Sequence, residues 1–103
     1  MTKHHSITNL VELIFNKFGS NAPIIMDHWE GDLYAIGLEK NNKLIYISTY
    51  ELKPNHYFYE CEILTNDTQK PYLVDSTEDD ITEERLLKVM SKFFEIEFIG
   101  KKQ

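Results

Sequence analysis

The chain has 103 residues, of which 42% are hydrophobic and 13% aromatic. This length fits one core, and this apolar content is too high for a disordered chain, so we expect a single domain over residues 1–103. Seventeen acidic residues outnumber eleven basic ones and give a net charge of −6. Because excess negative charge opposes contact with a phosphate backbone, direct binding of nucleic acid is not expected.

The amino-terminal sequence and the cysteine content favour the cytoplasm. Residues 1–9 are polar and lack the apolar stretch of a signal peptide. No segment approaches the roughly 20 apolar residues that span a bilayer, so we expect no membrane contact. Cys61 is the single cysteine and has no partner for an internal disulfide, as is usual in a reducing compartment.

The first predicted element is an amphipathic helix over residues 7–18. Its apolar residues recur at intervals of three and four: Ile7, Leu10, Val11, Ile14, Phe15 and Phe18. Ser6 is the predicted N-cap, and Gly19 is the predicted helix stop.

A β-rich region follows. We predict strands at 22–29, 32–39, 43–51, 56–65 and 72–74, with a hairpin turn at 40–42 because Asn tolerates the left-handed backbone of tight turns. In the strand 43–51, Ile45 and Ile47 alternate with Tyr46 and Tyr50. The isoleucines are expected in the core, and the tyrosines face either solvent or covering helices.

The last predicted helix begins at Asp80, which with Glu83 forms the pattern of a capping box. Its apolar stripe consists of Leu86, Val89, Met90, Phe93 and Phe94. Residues 95–99 alternate polar and apolar side chains, which leaves a strand and a continued helix both open. The predicted class is therefore α+β: an antiparallel sheet of four to five strands, with an amino-terminal and a carboxy-terminal helix packed on it.

Two residue sets suggest chemistry, and each also has a structural interpretation. Cys61 could work with His28 or His56 as a nucleophile, but its neighbours at period two are apolar, which favours a place in the core. Glu60 and Glu62 share one strand face and could divide acid and base roles, or simply be solvated. No metal-ligand spacing and no phosphate-binding or hydrolase motif occurs, so we expect no catalytic residue, metal or cofactor.

The acidic residues are concentrated in one part of the chain. Residues 51–84 hold ten acidic residues and two basic ones, and six acids fall in the segment 75–84: Asp75, Glu78, Asp79, Asp80, Glu83 and Glu84. We predict that this acidic block is a loop running into a helix amino terminus. The helix dipole explains only the acids of the first turn. The rest indicate either a basic partner or a solubilising surface, so the block is the predicted partner-binding site, with Glu60 and Glu62 as further candidates.

The chain resembles the small acidic immunity proteins of bacterial polymorphic-toxin and contact-dependent growth inhibition systems. The resemblance rests on its size, on the aromatic, Asn- and Lys-rich style of residues 32–47, and on the acidic block. It implies a cytosolic antitoxin, not an enzyme, that binds a cognate toxin, commonly a basic nuclease, and blocks its cleft or another essential surface. The alternatives are a generic interaction or homodimerising domain with solubilising acids, and a small enzyme that uses Cys61 with a histidine or the Glu60 and Glu62 pair.

Overall fold

The computed structural model describes residues 3–26 and 31–99, and their elements confirm the predicted α+β class. Two helices flank five strands in the order α1 (His5–Phe18), β1 (Ile24–Ile25), β2 (Ala35–Lys40), β3 (Lys43–Ser48), β4 (His56–Leu64), β5 (Tyr72–Thr82) and α2 (Glu83–Phe94), with a 3-10 turn at Gly19–Asn21. The sheet is antiparallel, and its spatial order follows the chain order from β1 to β5. β1 and β5 are therefore its edges.

The hairpin between β2 and β3 forms where the two asparagines predict it. Lys40 pairs with Lys43, which leaves Asn41 and Asn42 as a two-residue turn. Both have positive φ, 54° and 65°, a conformation that Asn adopts at little cost. Strong local turn chemistry thus sets the register of the central strands.

Both helices contribute to one core on a single face of the sheet. α1 buries four of the six residues of its predicted stripe, Ile7, Leu10, Ile14 and Phe18, but leaves Phe15 exposed. α2 buries Leu86, Leu87, Met90 and Phe94. The sheet contributes alternate residues to this core: Ile36, Leu38, Ile45, Ile47, Tyr57, Tyr59, Cys61 and Ile81. We call the other side of the sheet the open face, because no described helix packs on it.

The acidic block is not the predicted loop. Residues 75–82 belong to β5, which is eleven residues long and not confined to 72–74. β5 pairs with the whole of β4, so this chain segment gains the ladder hydrogen bonds that its Asp-rich sequence argues against. Because β5 is an edge strand, its acidic side chains stay in water. Tertiary pairing therefore overrides the local preference of the segment.

The start of α2 is also later than predicted. The helix begins at Glu83, and its N-cap is Thr82, whose Oγ1 accepts a hydrogen bond from the backbone N–H of Arg85 at 3.2 Å. Asp80 does not cap the helix, because its residue is still part of β5. The predicted capping box of Asp80 and Glu83 is therefore wrong by two residues.

The other ends of elements show smaller differences. α1 begins at His5, and its N-cap is His4 in place of Ser6, because the His4 Nδ1 atom accepts the Ser6 N–H at 3.2 Å. Gly19 ends the helix as predicted, with φ of 55°. The predicted strand 22–29 is reduced to Ile24–Ile25 among the described residues, and residues 27–30 lie outside them.

The tail 95–99 is neither strand nor helix. Glu95 ends α2 in the left-handed conformation, and the chain then returns to α1. The Ile99 N–H donates to the Lys17 carbonyl at 2.8 Å, and the Phe98 ring stacks on Phe18 at 4.7 Å. The period of two thus arises because alternate tail residues contact the helices.

Candidate protein-binding surface

The structure brings four of the eight candidate acids onto adjoining parts of the molecule. Glu60 and Glu62 lie on the open face of β4, opposite Thr77 and Val74 of the edge strand. Asp75 and Asp79 are exposed on that strand, and each lies within a register shift between β4 and β5. We call Glu60, Glu62, Asp75 and Asp79 the acidic surface.

Three other candidates bind groups of the protein itself. The Glu78 carboxylate accepts hydrogen bonds from Arg85 Nη2 at 2.8 Å and from the Tyr59 hydroxyl at 2.5 Å. Both hydrogen bonds lower the pKa of Glu78, and the one from Arg85 has the larger effect. Asp80 Oδ1 lies 2.7 Å from His56 Nδ1. Glu84 is 3.6 Å from Lys88, one helical turn away. These contacts give the three residues a structural role.

Glu83, the last residue of the acidic block, is half-buried in the first turn of α2. A carboxylate there is stabilised by the positive end of the helix dipole. Its position is explained by the helix, so the exposed acids of the edge strand are the ones that lack a local structural reason.

Glu62 is the most unusual member of the acidic surface, because only 8% of it is exposed. Burial raises its pKa to about 7, and hydrogen bonding and repulsion from Glu60 add to the effect. The Glu62 carboxyl is thus partly protonated near neutral pH. A cation placed beside it would favour release of that proton.

Apolar and aromatic side chains surround the acids. Tyr72, Leu73 and Val74 at the start of β5 are exposed, and the rings of Tyr46 and Phe58 meet edge to face at 6.0 Å on the open face. The structure settles the open question of the tyrosines. On β3, Ile45 and Ile47 are in the core and Tyr46 lies on the open face. Tyr50 is exposed beyond this strand, which ends at Ser48 and not at residue 51 as predicted. Charge and contact area therefore occur together here.

The geometry does not support a reactive cysteine. Cys61 is fully buried in the core, and burial raises the pKa of its thiol to about 11, which leaves little thiolate. His56 lies five residues away on the same strand, about 16 Å at the usual rise per residue. His28 lies outside the described residues.

A cleft of about 590 Å³ separates α2 from the first half of β5. Its lining includes four basic side chains, Lys43, Arg85, Lys88 and Lys92, and two acidic ones, Asp75 and Glu78. The basic side chains outnumber the acidic ones, so the lining of the cleft carries a net positive charge.

Sequence reasoning missed a shallow groove that contains Asp32, Tyr34, Tyr46 and Tyr50. The sequence did indicate that Tyr46 and Tyr50 share a surface, because they fall on one face of a predicted strand. It did not indicate that Tyr34 and Asp32 join them, because the predicted strand 32–39 begins only at Ala35 and both residues lie in the loop before it. Only the pairing of β2 with β3 brings the four residues together.

Within residues 3–26 and 31–99, no three His, Cys, Asp or Glu side chains are grouped as metal ligands, and neither helix has the length and apolarity needed to cross a membrane. Comparison with models of protein families, with curated proteins and with solved structures finds no match to this chain.

Proposed function

We propose that this protein is a cytoplasmic immunity protein that binds a basic toxin domain, such as a nuclease, through the acidic surface. The observation that carries the proposal is that Glu60 and Glu62 lie on the open face of β4 beside the free edge strand, which carries the exposed Asp79 and, in the lining of the cleft next to α2, Asp75. For these four acids the described residues show no pairing with a basic side chain. A basic partner would supply the missing charge.

The mechanism follows from electrostatics and packing. A nuclease needs a positive cleft to hold its substrate, so an acidic protein surface is attracted to the same place. Exposed charges speed association, but they add little affinity once salt screens them. Slow dissociation requires buried contact area, for which the exposed Tyr72 and Val74 and the ring of Tyr46 are available.

The edge strand also has a structural interpretation. Charged side chains and bulges on an edge strand prevent pairing with other chains, and β5 has both. This interpretation explains Asp75 and Asp79. It does not explain the nearly buried Glu62, which lies on the second strand and costs stability when it ionises.

One observation favours a homodimer as the second candidate: the free edge of β5 begins with the exposed residues 72–74. Two copies of an acidic strand repel each other, so such a dimer is expected to form only at high salt. Sedimentation at low and high salt measures this. A dimer at high salt supports the second candidate, and a monomer at both salt concentrations contradicts it.

The product of the gene next to this one is the natural partner to test. The two proteins are coexpressed in bacteria, and growth protection and copurification are measured. A surface variant, Glu60→Gln with Asp75→Asn and Asp79→Asn, is compared with a control variant, Glu12→Gln with Glu51→Gln and Glu97→Gln. Both variants remove three charges from accessible side chains. Loss of protection in the surface variant alone supports the proposal, and equal protection by both variants contradicts it.

A further inference from the structure

The groove next to the acidic surface is lined by three tyrosines and one acid. Tyr34, Tyr46 and Tyr50 lie around a volume of about 510 Å³, with Asp32 at its rim. Tyr34 and Tyr50 meet edge to face at 5.5 Å. Tyr50 is 60% exposed, so its ring is accessible to a partner. Aromatic faces around an open volume are the usual receptor for an organic cation.

The charges around the groove also favour a cation. Its described lining residues include Asp32 and no Lys, Arg or His. The pKa of Tyr46 is raised first by burial and then by the Asp32 carboxylate, so the acid acts on the ring that faces the groove. Glu60 pairs with Tyr46 on the neighbouring strand and adds negative potential.

The His4 ring lies 4.6 Å from the Tyr34 ring. Lys3 is a cation close to the groove, and its Nζ atom donates a hydrogen bond to the Asp32 main-chain carbonyl at 2.8 Å. That contact uses the carbonyl oxygen and not the carboxylate. The Asp32 Oδ1 atom accepts the Tyr34 N–H at 2.9 Å, which fixes the carboxylate at the rim of the groove. A carboxylate held by backbone geometry is already positioned for a ligand.

We propose that this groove binds the guanidinium group of an arginine side chain presented by the partner. The identity of the partner as a basic protein rests on the proposed function above. A guanidinium is planar, stacks on aromatic rings and donates two parallel hydrogen bonds to a carboxylate. The exposed ring of Tyr50 therefore supplies a face for stacking, and Asp32 supplies the acceptor. This arginine is the buried anchor that the screened charges of the acidic surface do not provide.

A pair of small probes tests the groove without the partner. N-acetylarginine amide and N-acetylcitrulline amide have nearly the same shape, but only the first is charged. We expect the arginine probe to shift the aromatic NMR signals of Tyr46 and Tyr50 at millimolar concentration, and the citrulline probe to leave them unchanged. Equal shifts with both probes, or arginine shifts only at other sites, would overturn the proposal.

Two variants separate the groove from the rest of the open face. Asp32→Asn keeps an acceptor for the Tyr34 N–H and should weaken arginine binding about two- to fivefold, and Tyr50→Leu should have an effect of similar size. Tyr72→Leu is the matched control, since Tyr72 is also exposed but lies on β5. Unchanged binding in Asp32→Asn and Tyr50→Leu contradicts the proposal.

Failure of this inference is distinguishable from failure of the proposed function. If the surface variant loses protection but the arginine probe leaves the groove tyrosines unchanged, only the arginine site is wrong. If the probe binds the groove but the surface and control variants protect equally, the groove stands and the immunity function fails. With the partner in hand, Tyr50→Leu should speed dissociation and leave the association rate unchanged.

Discussion

Glu60 and Glu62 lie side by side on the open face of the sheet, and the nearby Glu60 carboxyl helps to raise the pKa of Glu62. The relationship is possible because the two residues occupy alternate positions of β4 and so point to the same side. Burial of Glu62 keeps its proton in place near neutral pH. At higher pH Glu62 ionises beside Glu60, and this negative charge destabilises the folded state.

This pair makes the stability of the protein depend on pH. The pKa of Glu62 rises from 4.5 to about 7, so the folded state binds the proton more tightly than the unfolded state. The cost of ionising Glu62 is absent below pH 4.5 and complete above pH 7. We expect Glu62→Gln to increase the unfolding free energy by about 1–3 kcal/mol more at pH 8 than at pH 4. Urea unfolding at both pH values measures it.

The matched control is Glu12→Gln, because Glu12 is exposed on α1. Its effect on unfolding should differ little between the two pH values. A Glu62→Gln variant that behaves like this control would show that the Glu62 proton is held no more tightly in the folded state.

The hydrogen bond from Tyr59 to Glu78 ties the core to the edge strand. Tyr59 is buried, and its hydroxyl donates to a carboxylate that Arg85 also binds. Tyr59→Phe removes one donor to a charged group and should lower the unfolding free energy by about 1–2 kcal/mol. Thermal unfolding checks this against Tyr72→Phe, whose ring is exposed and whose loss of a hydroxyl should have little effect. Equal stability of both variants argues against the contact.

The N-cap of α2 is a direct test of where the helix begins. Thr82→Ala should destabilise the protein by about 1 kcal/mol, because the Arg85 N–H loses its acceptor. Asp80→Asn changes a strand residue and should alter stability less. If chemical unfolding shows that Asp80→Asn destabilises the protein more than Thr82→Ala, Asp80 is the N-cap, as the sequence predicted.

Gly19 is required where α1 ends. Its φ of 55° with ψ of −129° is a conformation that other residues rarely adopt, and an added Cβ would lie 2.7 Å from Ile99 Cδ1. Gly19→Ala should therefore cost about 1–3 kcal/mol. Relief of the contact by Ile99→Ala should recover only part of that loss, because the backbone strain remains. Full recovery in the double variant would assign the whole effect to the clash.

Elements with strong local signals were predicted well from the sequence. The α1 stripe and the Asn41 and Asn42 turn depend on helical periodicity and on backbone preference, both of which act within a few residues. The alternation in β3 likewise placed Ile45 and Ile47 in the core, but it left the surroundings of Tyr46 open. These features fix the helix, the hairpin and the class of the fold.

The acidic block was predicted as a loop, wrongly, because its strand structure depends on pairing with β4, which is distant in the sequence. Residues 75–82 have poor strand propensity, and only pairing with β4 makes them a strand. The same pairing decides which acids are free: Glu78 meets Tyr59, and Asp80 meets His56. Spacing along the chain contains no information on these contacts. The concentration of acids therefore indicated the region of the candidate site, but not which of its acids are paired and which are free.

The most direct test of the central claim is the association rate with the protein that the coexpression experiment identifies as the partner, measured by stopped flow as a function of salt. The account predicts that the surface variant associates more slowly than the wild type at low salt, that the difference shrinks as salt rises, and that the control variant retains the wild-type rate. Equal association rates for the surface variant and the control variant at low salt would contradict it.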